Sequence, residues 1–181
     1  MFEHFVSIDV ETAGPCPSRY PLLSIGACLV TDPARSFYVE LQPVPEAADP
    51  EALRISGLSL ERLREEGLPP REAMERFAHW LRQAVPHRRP VFVAMNAAFD
   101  WMFVNDYFHR YLGFNPFGHA ALDIKSFFMA LRRVPWEQTG WRHIAQRYLP
   151  QRAALAHNAL QDAQDQARAF LAMLQEALPF P

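Results

Sequence analysis

The sequence predicts an α/β fold: a mixed β-sheet, part antiparallel meander and part parallel strands, flanked by α-helices. Two observations carry that prediction. Three apolar, β-branched stretches stand ahead of Pro45 with only turns between them, and beyond Arg71 segments of helical period alternate with one short apolar run.

In strand 1, residues 4–11, Val6, Ile8 and Val10 alternate with Ser7, Asp9 and Glu11, so one face is apolar and the other carries both acids. Gly14–Pro21, GPCPSRYP, follows as a stiff turn at the rim of that acidic face. Strand 2 runs through LLSIGACLV and strand 3 through SFYVELQPV, joined by a turn around Asp32 and Pro33. The stretch 47–70 is expected to be a loop. An amphipathic helix over Arg71–Ala84 then leads into strand PVFVAM. Phe99, Phe103, Tyr107 and Tyr111 recur at helical spacing, so the next helix covers Ala98–Tyr111, Asp100 falls in its first turn and Asn96 is its candidate cap. Asp123 is expected to cap the helix DIKSFFMALRR, and a further helix lies within Trp136–Leu149. In the last helix, after Asn158, the residues Ala163, Ala167, Phe170, Leu171, Leu174 and Leu178 form one apolar arc. Asp162 sits on a flank of that arc, whereas Asp165 points away from it and is expected in solvent.

Asp9 and Glu11 project side by side from their strand, and such neighbours repel unless a cation or proton lies between them. Oxygen donors without cysteine suit Mg2+ or Mn2+ rather than zinc. His157 lies five positions before Asp162, too far round an ideal helix to share its face, so it belongs on the loop leading in. Imidazole titrates near neutrality, which suits a general base that meets an incoming water. Singly, each acid also has a plain structural explanation: a solvated strand end for Asp9 and Glu11, and the positive end of a helix dipole for Asp100.

Together, DVET at Asp9–Thr12, NAAFD at Asn96–Asp100 and HNALQD at His157–Asp162 resemble the three motifs of the DEDDh 3′-to-5′ exonucleases, in the same order. That superfamily includes polymerase proofreading exonucleases and the ribonuclease T group, and its fold is similar to ribonuclease H. The resemblance implies two divalent cations, Mg2+ or Mn2+, with Asp9 bridging them, Glu11 and Asp162 completing one site and Asp100 supporting the other partly through water. It also implies that His157 is the general base. Thr12 and Asn96, inside the motifs, and the aromatic residues Phe99 and Trp101 are candidate substrate contacts, with Arg19 or Tyr20 at the rim. Asp123 is near the site in relatives, and Met95 stands where many of them carry a histidine.

Composition fits one domain over residues 1–181, half of them hydrophobic, enough to bury about 70% of the unfolded surface. The start, MFEHFVSIDV, has no basic region followed by an apolar core, and no apolar run is long enough to span a membrane, so a cytoplasmic location is expected. Cys16 and Cys28 form neither a disulfide framework nor a metal pair and are expected as reduced thiols. A net charge of −2 does not announce a nucleic-acid binder, although Arg88 with Arg89, Arg132 with Arg133, and Arg142, Arg147 and Arg152 form local clusters that could follow phosphates.

The expected partner is the 3′ end of single-stranded RNA or DNA, hydrolysed to nucleoside 5′-monophosphates, and the resemblance also allows a homodimer. The alternative is a non-catalytic nucleic-acid-binding or scaffold subunit of a polymerase or RNA-processing assembly. A scaffold has no need of mutually repelling carboxylates, and this chain has all four plus the histidine. A two-acid glycosidase explains neither Asp100 nor His157.

Overall fold

The computed structural model describes residues 4–45, 47–152, 154 and 156–177. Its centre is a five-stranded sheet in the order β3-β2-β1-β4-β5, built from β1 (Phe5–Thr12), β2 (Leu22–Leu29), β3 (Asp32–Glu40), β4 (Val91–Ala94) and β5 (Ala121–Asp123). The first three strands form the expected antiparallel meander, and β4 and β5 run parallel to β1. This mixed sheet with flanking helices is the ribonuclease H-like architecture.

Strand alternation sorts the chain into two layers. Val6, Ile8, Val10, Ile25 and Phe92 pack with Phe77 of α3 (Pro70–Ala84) and with Phe103 and Phe108 of α4 (Ala97–Leu112). On the other face Cys28 and Val93 pack with Phe128, Ile144, Phe170 and Met173. Those four come from three helices, numbered here α5 (Ile124–Arg132), α6 (Trp141–Tyr148) and α7 (Ala159–Ala177). Asp9 and Glu11 share this second face, under the start of α7.

Gly26 is what lets α7 come so close. It is the cross-strand partner of Asp9, and a Cβ built there would lie 2.1–2.3 Å from the main chain of Ala159 and Leu160. No side chain fits, so the first turn of α7 rests on bare backbone beside Asp9.

Several expectations are corrected. The stretch 47–70 contains two seven-residue helices, α1 (Pro50–Ser56) and α2 (Leu60–Glu66). Asp49 accepts the Glu51 N–H, Pro50 opens the first, Gly57 closes it at φ +66°, and Ser59 accepts the Arg62 N–H of the second. β3 starts at Asp32, because the turn is Val30–Thr31, and Pro33 is tolerated in that strand because it is at the sheet edge. β5 was not expected at all. Asn96 adopts left-handed backbone (φ +61°, ψ +47°) before α4, and its side chain makes no capping bond. Asp165 is 3% exposed rather than solvated, and it lines a cavity with residues 148–152 and Arg168. Its carboxylate pairs with Arg168 at 2.7 Å and faces Arg152 at 3.9 Å. Leu178, the last residue of the expected apolar arc, lies outside the described residues.

Candidate active site

The first turns of α4 and α7 and the loop before α7 meet beside the C-terminal end of β1. Asp9 and Glu11 come from β1 itself. β4 pairs with β1 only as far as Ser7, so the N–H of Val10 is left without a strand partner on that edge. Asp100, in the first turn of α4 and 4% exposed, takes that bond through Oδ1 at 3.1 Å. The acid of the second motif is thereby tied to the strand of the first. Asp162, in the first turn of α7 and 2% exposed, accepts the Ala156 N–H at 2.8 Å. That bond folds the preceding loop back over the helix start and brings His157 with it.

His157 is exposed and has φ +53°. One donor atom each from Glu11, His157 and Asp162 lie within 4.8 Å of one another. The sequence separated the histidine from the acids by role, but the structure puts its ring within ligand reach of two of them.

The electrostatics of the cluster are those of uncompensated acids. Burial raises the Asp9 carboxyl far above its ordinary value, Asp100, Asp162 and Glu11 raise it further, and a bond from Gln166 opposes them. Burial, then Asp162, push Glu11 up to about 7. Asp100 is raised by burial against the pull of main-chain N–H groups, and Asp162 likewise, with His157 also opposing the rise. Four acids that hold their protons this tightly need positive charge to ionise together at neutral pH. The donor set of carboxylate oxygens with one imidazole fits hard divalent cations such as Mg2+ or Mn2+.

The other candidates separate into site and scaffold. A cavity of about 330 Å³ opens beside Glu11, lined among others by Thr12, Pro15, Asp49, Ile55 and Phe99. Thr12 Oγ1 donates to the Gly14 carbonyl at 2.9 Å. Trp101 instead packs edge-on against Phe92, ring centres 5.2 Å apart, on the core side of α4. Asn96 is exposed at the start of α4. The Tyr20 ring covers Gly14, whose Cβ would lie 2.3 Å from it, and Arg19 stacks on Tyr20 at 5.6 Å. Arg132 and Arg147 both pair with Glu176.

Two further residues support the site: Asp123, whose nearness to the site in relatives leaves that role open, and Gln166, which the sequence reading does not single out. Asp123 does cap α5, accepting from Ser126, but its second oxygen accepts the Ala97 N–H at 2.8 Å and so fixes the start of α4 next to Asp100. Gln166 Nε2 donates to Asp9 Oδ1 at 2.7 Å, and its position four residues after Asp162 was the available signal. Met95, half-buried, contributes its main-chain N–H to Gln166.

The exonuclease family of ribonuclease T type matches residues 6–170. The 3′-5′ DNA exonuclease Cap18 of Escherichia coli is 47% identical over 169 residues, covering 93% of this chain and 90% of its own. The nuclease domain of 3′hExo, a DEDDh family member bound to rAMP, superposes with a TM-score of 0.79 at 15% identity, covering 99% of this chain and 96% of that one. E. coli ExoI in its zinc-bound complex with single-stranded DNA gives 0.72 at 15% identity, covering 99% of this chain and 42% of that one. At such identities the structures establish the fold, and the curated relative with the family match establishes the rest: this chain belongs to the ribonuclease T exonuclease family and is a 3′-to-5′ exonuclease.

Proposed function

We propose that the protein shortens single-stranded DNA from a free 3′-hydroxyl, releasing nucleoside 5′-monophosphates with two divalent cations, Mg2+ or Mn2+. The observation that carries this reading is the meeting of Glu11, Asp162 and His157 within 4.8 Å at the end of the strand that also presents Asp9. DNA is chosen over RNA because the relative at 47% identity is a DNA exonuclease.

Asp9, Glu11, Asp100 and Asp162 would hold the cations, which when bound stabilise the attacking and leaving oxygens of an in-line displacement at phosphorus. His157 takes a proton from the attacking water at one ring nitrogen, on a loop open to solvent. The water oxygen joins phosphorus, the bond to the 3′-oxygen of the preceding nucleotide breaks, that oxygen takes a proton from solvent water to leave as a new 3′-hydroxyl, and His157 returns its proton to solvent. Phe99 offers a ring to the terminal base at the cavity beside Glu11. Trp101, turned to the core, is not part of that contact.

The test uses 5′-labelled single-stranded DNA, single-stranded RNA and duplex DNA with the purified protein and Mg2+ or Mn2+. Single-stranded DNA is shortened fastest, one nucleotide at a time. A 3′-phosphate blocks it, chelator stops it, and alanine at Asp9, Glu11, Asp100 or Asp162 nearly abolishes it. Internal cuts in a circular strand, or full activity in excess chelator, would overturn the reading.

A further inference from the structure

Gln166 is 1% exposed and stands one turn beyond Asp162 on α7, on the same face. Both ends of its amide are engaged: Oε1 accepts the Met95 N–H at 2.9 Å and Nε2 donates to Asp9 Oδ1 at 2.7 Å. A main-chain N–H can only donate, so Met95 decides which end of the amide is oxygen and turns the NH2 group toward Asp9. Asp100, Asp162 and Glu11 act on Asp9 as like charges, and the Gln166 amide opposes them. Ala167 and Phe170 of the same helix belong to the apolar cluster that packs on Cys28 and Val93 of the sheet.

We infer that Gln166 is the positioning residue of Asp9: anchored by Met95, it holds one carboxylate oxygen and leaves the other for a cation shared with the neighbouring acids. This rests on the reading of Asp9 as a metal ligand given above. Hydrogen bonds to ligating carboxylates fix their orientation, and loss of such a bond typically weakens metal binding about 10- to 100-fold.

The test compares wild type, Gln166→Met, Gln166→Glu and Asp9→Ala. Free Mn2+ is titrated by its paramagnetic resonance signal, kcat and KM are measured on a 5′-labelled single strand, and melting is followed in chelator. Gln166→Met keeps the length and apolar bulk of the side chain and removes both bonds. It should raise the Mn2+ dissociation constant about 10-fold or more and lower kcat at saturating Mn2+ with little change in KM. Unchanged Mn2+ affinity and kcat, with only a lower melting temperature, would make Gln166 a mere structural tie and overturn the inference. Gln166→Glu serves if the methionine variant does not fold, because it keeps the shape and the Met95 bond while replacing the donation to Asp9 with a carboxylate that repels it. Its kcat should fall about 10-fold or more, and an unchanged kcat overturns the inference. If Asp9→Ala loses Mn2+ while Gln166→Met retains it, this inference alone fails; if Asp9→Ala binds Mn2+ as wild type does, the ligand reading of Asp9 fails and takes this one with it.

Discussion

His157 sits at φ +53°, a backbone region uncommon for residues with a side chain. The Ala156 N–H just before it is bonded to Asp162, so the acid of the third motif ties down the loop that carries the base. A base whose ring is also within ligand reach of Glu11 and Asp162 has two readings that kinetics separate. His157→Ala should lower kcat about 10²- to 10⁴-fold while Mn2+ still binds; loss of Mn2+ with residual turnover at saturating metal would make it a ligand instead. Asp165, three residues past Asp162, shows where reading single residues stops. Its angle on α7 points away from the apolar arc and so predicts solvent, but the side chain is 3% exposed and lines a cavity with residues 148–152 and Arg168. Its partners Arg168 and Arg152 are about half exposed and can rehydrate when released. Asp165→Ala should therefore cost about 1–2 kcal/mol of stability and leave Mn2+ affinity unchanged, and a loss of activity as deep as that of Asp162→Ala would place it in the site.

At the scale of elements, long periodic segments were legible and short ones were not. The strand 1 alternation placed both acids on one face, and the aromatic spacing of 99–111 placed Asp100 in the first turn of its helix, because each pattern repeats over several residues. α1 and α2 span only seven residues each, two turns, so their signal lay in their ends: Asp49-Pro50, Gly57 and Ser59. β5 spans three residues and is held by pairing with β4, which no local pattern encodes. The contact of β2 with α7 was equally invisible, since Gly26 in the strand LLSIGACL shows only that a side chain is missing, not what approaches it. That contact sets the height of α7 over Asp9. Gly26→Ala should push the helix start away, destabilise the protein by about 1–3 kcal/mol or more and lower activity more than its fraction folded accounts for. Wild-type kcat and melting temperature in this variant would show that α7 does not need the close approach.

For the whole molecule, the four acids make metal and stability one problem. Asp9, Glu11, Asp100 and Asp162 all have carboxyl groups raised above their ordinary values in the fold, Glu11 to about 7, with burial the largest cause. A raised carboxyl means that the folded state binds its proton more tightly than the unfolded chain does. Its contribution to stability is then full below the unfolded value near 4 and is lost as pH rises through the folded value. Glu40, Glu51 and Glu176, lowered by arginine or tyrosine partners, behave oppositely, and their contribution is lost only as pH falls below the ordinary carboxyl range. Between pH 5 and 8 the site acids therefore dominate the change. In chelator the melting temperature should fall as pH rises across that window, and Mg2+ should restore it, more at pH 8 than at pH 5, because protonated acids give the ion little to bind. Asp100→Asn, with one buried acid fewer, should flatten the slope in chelator and lose the Mg2+ gain. A melting temperature in chelator that stays level from pH 5 to 8, or an equal Mg2+ gain at both, would mean that the acids are screened by something other than cations and that the site is not held open by their repulsion.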